Sequence, residues 1–177
     1  QSRQLNPGDV VALNAPYNGG THLPDITLIS PFFDEGGKNI LFYVASRGHH
    51  ADIGGITPGS MPSHSTNVDE EGVLIDNFLI VKNGEFLEQE MRLLLSSGPY
   101  PARNPDQNIS DLMAQIAANE KGIIELKNMV KNFGSKMVQS YMGFVQDNAE
   151  ESVRKVLDTL KGGSFCYELD CGAKIKV

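Results

Sequence analysis

The sequence lacks the features that would point to a membrane, a nucleic acid or an anionic surface as partner. No stretch of the 177 residues approaches the ~18 consecutive apolar residues that suggest a membrane-spanning helix. The 15 lysines and arginines are outnumbered by 22 aspartates and glutamates, so the net charge is −7. Because nucleic acids and anionic membranes attract basic surfaces, neither is expected as a partner.

Cysteine is scarce, and a leader sequence is not evident. Cys166 and Cys171 are the only two cysteines, too few for a disulfide framework and not spaced like a zinc knuckle. We expect two reduced thiols in a cytoplasmic protein. Residues 1–4 carry one basic residue and no apolar run follows, so no signal peptide is predicted. The first residue is not methionine, and we expect an excised piece of a longer protein.

Three common catalytic or nucleotide-binding motifs are also missing. The sequence contains neither a Gly-x-x-x-x-Gly-Lys-Ser/Thr loop nor a strand-linked Gly-x-Gly-x-x-Gly turn, so no nucleotide site is predicted. Ser60, Ser63 and Ser65 do not stand in a Gly-x-Ser-x-Gly setting, which argues against a serine nucleophile.

What is present divides near residue 104. Residues 1–103 are rich in glycine, proline and β-branched residues, whereas residues 104–161 carry apolar residues at helical spacing and residues 162–177 form a tail. We predict one α+β domain in which a glycine-rich mixed β-sheet is followed by a long αα-hairpin.

The patterns also predict individual elements. Apolar, β-branched runs predict strands at 10–13, 25–30, 40–45, 73–75 and 77–81. Because residues 40–44 are all apolar, the sheet is expected to be buried on both faces. Helices are predicted at 86–95, from a cap at Asn108 to 133, and at 136–160, with Gly134 between the last two.

All four histidines lie between residues 22 and 64, and aspartates accompany them. Imidazole and carboxylate are preferred ligands of Zn²⁺, Mn²⁺ and Fe²⁺. Loops beside adjacent strands could bring His22, Asp25 and His49 to one point as a metal site. A His-x-x-Asp pair can equally be a hydrogen bond that stiffens a loop, so the residues leave both interpretations open.

Other polar residues near the histidines are candidates for catalysis. His50, Asp52 and Arg47 are the predicted catalytic residues, and Arg47 could bind a substrate carboxylate or pair with an aspartate. Residues 69–71 form an acidic run that is typical of a solvated turn. We expect Arg103 to tie the proline-bearing connection to the first part of the chain.

Three long strings resemble the hydantoinase B/oxoprolinase family. They are NAPYNGGTHLPD at residues 14–25, ASRGHHADIGGITPGSMP at residues 45–62, and RNPDQNISDL with AQIAAN at residues 103–119. The double histidine and SHST at residues 63–66 are more similar to 5-oxoprolinases than to N-methylhydantoinases or acetone carboxylases.

The resemblance implies ATP-dependent opening of 5-oxo-L-proline, or a related cyclic amide, to give L-glutamate. In such enzymes a hydantoinase A half, in the same or a separate chain, binds ATP and phosphorylates the substrate carbonyl oxygen. The resemblance also implies a divalent metal, because related carboxylases carry one, manganese, in the corresponding half. Its ligands map to His22, Asp25 and His49 here, and Mn, Zn and Mg are the candidates for this chain. Ala15 departs from the Asn-Asp-Pro-Tyr string of many relatives. A homo-oligomer is also expected.

Several alternatives remain open from the sequence. The chain could belong to an ATP-dependent N-methylhydantoinase, be a self-contained metal hydrolase, or be a non-catalytic interaction module whose histidines brace loops. Because it lacks a nucleotide motif, we expect that the chain alone does not turn over 5-oxoproline.

Overall fold

The computed structural model describes residues 4–177. The chain divides into two compact units, which we call unit 1 (residues 1–127) and unit 2 (residues 128–177). No helix among the described residues is long and apolar enough to cross a membrane.

A five-stranded sheet forms the centre of unit 1. The spatial order is β3-β2-β1-β4-β5, and every pairing is antiparallel. This confirms the α+β class, although all four strand pairings are antiparallel where a mixed sheet was expected. The strands are β1 (Val10–Leu13), β2 (Asp25–Phe33), β3 (Ile40–His49), β4 (Phe78–Lys82) and β5 (Glu85–Phe86).

Strands β2 and β3 form a long hairpin. Their turn is held by Asp34, which accepts hydrogen bonds from Lys38 N (2.9 Å) and Asn39 Nδ2 (2.7 Å). Pairing runs from Phe33 opposite Ile40 to Asp25 opposite His49, so β3 extends four residues beyond its predicted end.

The prediction of two buried sheet faces is wrong for β3. This strand lies at the edge of the sheet, and its side chains alternate between partly buried and exposed. Successive side chains of a strand point to opposite faces, and here one face of the hairpin is open to solvent.

The prediction of a strand at 73–75 is also wrong. This extended segment pairs with no strand in the described part of the chain and instead forms single hydrogen bonds: Val73 N donates to Ile53 O (2.8 Å), and Ile75 N donates to the Asn14 side chain (2.6 Å).

Two helices complete unit 1. They are α1 (Glu88–Leu95) and α2 (Pro105–Phe133), whose last turns lie in unit 2. Asn104, not Asn108, caps α2, since its Oδ1 accepts from Gln107 N at 3.3 Å. Asn108 is buried one turn further on, where Nδ2 donates to Asp52 O (2.9 Å) and Oδ1 has no partner among residues 4–177.

The core lies between the sheet and these helices. Apolar residues alternate along the covered face of the strands, and α1 and α2 add apolar residues at helical spacing. Full burial of each such side chain stabilises the fold by roughly 1.5–3 kcal/mol. Fully or nearly fully buried members include Ile26, Leu28, Ile53, Ile75, Ile80, Met91, Leu95, Ile109 and Leu112.

Helix α2 comes close to the hairpin because two positions lack a side chain. A Cβ on Gly48 of β3 would lie 2.9 Å from Gln115 Cδ, and one on Gly122 would lie 2.9 Å from Val44 Cγ1. These distances are shorter than ordinary van der Waals contact, so glycine is required for this approach.

Unit 2 begins in the last turns of α2 and continues through Gly134 (φ 82°) into α3 (Ser135–Leu157). A small antiparallel hairpin follows, with β6 (Cys166–Glu168) paired to β7 (Lys174–Lys176). The two predicted helices and the break at Gly134 are therefore confirmed, and the tail adds a strand pair. Both cysteines are exposed and free.

Candidate metal centre

Three side chains that can bind a metal ion meet where β2 begins and β3 ends. Asp25 lies 2.7 Å from Nδ1 of His22 through Oδ2, and 3.0 Å from Nδ1 of His49 through Oδ1. The two imidazole rings stack with their centroids 5.3 Å apart. One ligand atom from each residue can be chosen so that all three lie within 4.8 Å of one another. The structure thus brings together the three residues predicted as metal ligands, here called the His–Asp–His cluster.

The hairpin register sets the position of two members. Asp25 and His49 are direct partners across β2 and β3, and Thr27 and Arg47 form the next pair on the same face. Side chains on directly opposed residues lie about 4.5–5.5 Å apart at Cβ. Backbone pairing alone therefore brings the carboxylate within reach of one imidazole.

The third member, His22, is positioned by a tight turn. A Cβ on Gly20 would overlap with Asn14 O, so the chain passes there against the end of β1. The fully buried side chain of Asn14 donates to Leu23 O and Val73 O, both at 2.9 Å. This amide fastens the turn that carries His22 to two other segments of unit 1.

Asp25 is the acidic centre of the cluster. Burial, the largest single influence, raises its pKa, but hydrogen bonds from His49, His22 and Thr21 together outweigh burial and hold the pKa below its ordinary value. Thr21 Oγ1 donates to the carboxylate at 3.1 Å. The carboxylate therefore stays ionised near neutral pH and favours a cation beside it.

The donor set fits a divalent metal ion. Around an ion about 2.1 Å from each ligand, neighbouring ligand atoms lie about 3.0–3.4 Å apart, within a few tenths of an ångström of the distances between the Asp25 oxygens and the two Nδ1 atoms. The side chain of His49 is 61% exposed and that of His22 is 37% exposed, which leaves room for further ligands. Because an ionised carboxylate only accepts hydrogen bonds, each Nδ1 donates a hydrogen to Asp25 in the metal-free arrangement, and that hydrogen would be lost when the Nδ1 atom binds the ion.

His50 lies beneath the sheet and not in the cluster. It is 1% exposed; Asn108 Nδ2 donates to its Nδ1 (3.1 Å), and its Nε2 donates to Gln115 Oε1 (3.2 Å). Burial, the main cause, lowers the pKa of His50 below its ordinary value despite the opposing bond to Gln115. Both ring nitrogens are thus occupied and the imidazole is neutral.

Asp52 holds the glycine-rich loop together. Its carboxylate accepts from the backbone N–H groups of Gly54, Gly59 and Arg103, each at 3.0 Å, and from Arg103 Nη1 at 2.7 Å. Arg103 Nη2 also donates to Gly55 O at 2.7 Å. Arg103 therefore ties the connection to the first part of the chain, which confirms its predicted role.

Arg47 stands next to the cluster on the open face of the hairpin. Its Nε donates to Thr27 Oγ1 at 2.9 Å, and no partner for its Nη1 and Nη2 atoms is found among residues 4–177. The guanidinium is thus oriented by one bond, while its two terminal nitrogens remain available.

The remaining sequence candidates lie elsewhere. His64 does not belong to the cluster. Glu70 accepts from Thr66 N at 2.7 Å, and Glu71 accepts from Ser65 Oγ at 3.0 Å, so the acidic run braces its own loop, as expected of a solvated turn.

Sequence reasoning missed the buried amides that hold the site. Asn14 and Gln115 each fall within a family-like string, but neither was expected to fix the position of a histidine. The available signals were the nearby glycines, Gly20 and Gly48, whose missing side chains mark close approaches.

Comparison with known proteins gives a consistent picture. The family model of hydantoinase B/oxoprolinase matches residues 1–177. The chain is 49% identical to 5-oxoprolinase 1 of Arabidopsis thaliana over 88% of this chain and 13% of that protein. It is 45% identical to 5-oxoprolinase of Dictyostelium discoideum over 96% of this chain and 14% of that protein. The crystal structure of the ATP-dependent caprolactamase from Pseudomonas jessenii matches with a TM-score of 0.78 and 25% identity, over 94% of this chain and 28% of that chain.

Proposed function

Because the chain belongs to the hydantoinase B/oxoprolinase family, we propose that it is part of an ATP-dependent enzyme that opens the lactam of 5-oxo-L-proline to give L-glutamate. The chain spans only 13% and 14% of the two 5-oxoprolinases it resembles. The proposal therefore concerns the role of this part within a longer enzyme.

The chemistry of the substrate explains the need for ATP. A five-membered lactam is a stable amide, and phosphorylation of its carbonyl oxygen activates the carbonyl carbon towards water. One water adds to that carbon and the ring C–N bond breaks, so that the nitrogen leaves as the free amine and an acyl phosphate forms. A second water then releases the phosphate to give the carboxylate. One ATP and two water molecules then give glutamate, ADP and phosphate. We assign ATP binding to a hydantoinase A-like half, in the same or a separate chain.

The His–Asp–His cluster carries the proposal for this chain. We assign His22, Asp25 and His49 as ligands of a divalent metal, with Mn²⁺, Zn²⁺ and Mg²⁺ as candidates; such an ion polarises a bound oxygen and lowers the pKa of bound water. The ionised Asp25 supplies the negative charge, and the exposed His49 faces solvent, from which a substrate can arrive.

Arg47 is the residue that we propose contacts the substrate directly. A guanidinium with two free terminal nitrogens binds a carboxylate by two parallel hydrogen bonds, and 5-oxoproline has a carboxylate beside its ring. Thr27 holds the guanidinium one cross-strand pair away from Asp25 and His49, so a carboxylate bound there brings the lactam towards the cluster.

His50 and Asp52 are assigned a supporting part. The burial and complete hydrogen bonding of His50 keep it from touching a substrate, and the carboxylate of Asp52 is occupied by four donors. We propose that both residues position the loop after β3, and that Arg47 alone of the three predicted catalytic residues contacts the substrate.

The proposal extends to the location, assembly and metabolic role of the whole enzyme. We propose a cytoplasmic location, since the two exposed, unpaired cysteines suit a reducing compartment. A homo-oligomer and a role in glutathione metabolism belong to the same proposal.

Metal analysis of the purified chain tests the cluster. Protein prepared without chelator and reloaded with Mn²⁺ or Zn²⁺ is expected to retain about one ion per chain by mass spectrometry. His22→Ala and His49→Ala should lose it, whereas His64→Ala, the matched control outside the cluster, should keep it. Loss in all three variants, or retention in all three, would remove the cluster as the metal site.

Ligand-observed NMR tests the role of Arg47. The metal-loaded chain should bind 5-oxoproline more tightly than 2-pyrrolidone, which has the same ring without the carboxylate. Arg47→Met should abolish that preference, while Arg154→Met on α3 should preserve it. Equal binding of both ligands by the unaltered chain would contradict the assignment.

A further inference from the structure

Two buried amides of α2 reach from the helix to the sheet. Gln115 Nε2 donates to Ile26 O at 3.0 Å, and Asn119 Nδ2 donates to Leu28 O at 3.2 Å. They lie one helical turn apart and act on backbone positions two residues apart along β2. Both amides stabilise the same helix–sheet contact.

Gln115 differs from Asn119 because its partners are the direct chain neighbours of Asp25 and His49. Ile26, whose carbonyl it binds, directly follows Asp25, and His50, whose ring it binds at 3.2 Å, directly follows His49. The Gln115 side chain also packs against Gly48, which precedes His49. One amide thus holds both strands immediately beside the two paired members of the His–Asp–His cluster, from the opposite face of the sheet.

Other bonds make this anchor stiff. The backbone N–H of His50 donates to Pro24 O at 2.8 Å, and Asn108 fixes the second ring nitrogen of His50. The ring therefore cannot turn to follow a displaced Gln115. A movement of Gln115 is transmitted to the backbone on either side of His49.

We infer that Gln115 is a positioning residue for the metal centre: by bridging Ile26 O and the buried His50, it fixes the spacing of Asp25 and His49 on the other face of the hairpin. The inference rests on the proposed metal-binding function. Groups that orient metal ligands in this way typically change metal affinity 10–100-fold when removed.

Asn119 provides the matched control. It bonds Leu28 O and Ser30 Oγ (3.0 Å), and both residues lie further along β2, away from the cluster. Gln115→Met and Asn119→Leu each remove a buried amide while keeping a side chain of similar size. Both should lower the unfolding midpoint, but only Gln115→Met should affect the cluster.

The experiment measures the Kd for Mn²⁺ by calorimetry in the unaltered chain and in both variants. Gln115→Met is expected to weaken binding by about ten-fold or more, and Asn119→Leu by less than about three-fold. Equal weakening in the two variants would overturn the inference. Should Gln115→Met not fold, Gly48→Ala approaches the same contact from β3, because its Cβ would lie 2.9 Å from Gln115 Cδ; it should weaken Mn²⁺ binding as well, and unchanged binding would contradict the inference.

A second measurement does not need the metal. The Nδ1–H signal of His49, hydrogen-bonded to Asp25, should be visible by ¹⁵N-edited NMR in the metal-free unaltered chain and in Asn119→Leu, and should be lost or shifted in Gln115→Met. If the unaltered chain binds no Mn²⁺, the metal proposal fails, and this signal still decides the role of Gln115. An unchanged signal in Gln115→Met would contradict that role.

Discussion

The two units of the chain differ sharply in how they treat their apolar side chains. Unit 1 buries them between the sheet and the helices, and it also buries the amides that hold the hairpin. In unit 2, Val138 is the one buried apolar residue, whereas the aromatic and aliphatic residues along α3 and the β6–β7 hairpin are exposed. A groove of about 770 Å³ between the end of α2 and the start of α3 is lined by Met129, Phe133, Met137, Val138, Tyr141, Met142 and Val145.

The two units therefore differ in what stabilises them. Unit 1 has the core and the polar network that a domain needs to hold a site in place. The helix α3 of unit 2 is amphipathic, but most of the side chains of its apolar stripe are exposed. Contiguous exposed apolar surface of this kind usually contacts other protein, and 5-oxoprolinase relatives extend far beyond the matched region.

Truncation of one side chain in each unit gives the largest expected contrast. Ile80→Ala, at a fully buried position of β4, should lower the free energy of unfolding by about 2–5 kcal/mol. Leu157→Ala, at an exposed position of α3, should change it by less than about 0.5 kcal/mol. Urea unfolding followed by circular dichroism measures both values, and similar losses would show that unit 2 has a core of its own.

Metal should stabilise one unit and not the other. At a free concentration 100 times its Kd, Mn²⁺ should add about 2.7 kcal/mol to the stability of unit 1, because the three ligands assemble only when β2 and β3 are paired. Hydrogen exchange followed by mass spectrometry should show slower exchange in residues 22–50 and no change in α3. Equal protection of both units would indicate non-specific binding.

The hydrogen bonds of Asp52 with the glycine-rich loop and Arg103 predict that the stability of unit 1 falls in acid. Burial, the largest influence, raises the pKa of Asp52, but bonds from the Arg103 backbone, Gly54, Gly59 and the Arg103 guanidinium outweigh burial and lower the pKa. The folded state therefore binds this proton less readily than the unfolded state does. Stability is fully present above the ordinary aspartate pKa of about 3.9 and is lost as pH falls through the lower folded value.

Asp52→Asn tests this effect directly. We expect a loss of about 1–3 kcal/mol at pH 7 and a flatter dependence of stability on pH below about pH 5. Asp147→Asn, on α3 of unit 2, is the matched control and should leave the pH dependence unchanged. An acid transition that is the same in the Asp52 variant and the unaltered chain would remove Asp52 as its source.

Two helical glycines give the smallest but most specific contrast. A Cβ on Gly143 of α3 would meet nothing within 4 Å, so Gly143→Ala should stabilise the chain by about 0.5–1 kcal/mol through helix propensity. A Cβ on Gly122 of α2 would lie 2.9 Å from the stiff side chain of Val44, so Gly122→Ala should destabilise it by about 1 kcal/mol or more. Thermal unfolding shows the signs, and equal signs would contradict the described difference in packing.

Much of the fold could be predicted from local patterns. Gly134 predicted the break between α2 and α3, and helical periodicity predicted the two helices. Runs of β-branched and other apolar residues predicted β2 and the first part of β3. The extension of β3 through Ser46, Arg47, Gly48 and His49 could not be predicted, because none of these residue types favours a strand and only pairing with β2 makes them one.

The candidate metal ligands could be predicted from the sequence, but the buried polar residues that hold them in place could not. Histidines and an aspartate in family-like strings pointed to His22, Asp25 and His49. The buried roles of Asn108 and Gln115 were missed because polar residues on a helix usually face solvent. Their partners are backbone carbonyls and a buried imidazole, which become visible only when the sheet is placed under the helix.

The central claim is that His22, Asp25 and His49 bind one divalent metal ion. Crystals of the chain loaded with Mn²⁺, measured near the manganese absorption edge, give the most direct test. The account predicts a single strong anomalous peak within about 2.3 Å of a ligand atom from each of the three residues. A peak elsewhere, or no peak while Asp25 still joins the two imidazoles through hydrogen bonds alone, would contradict it.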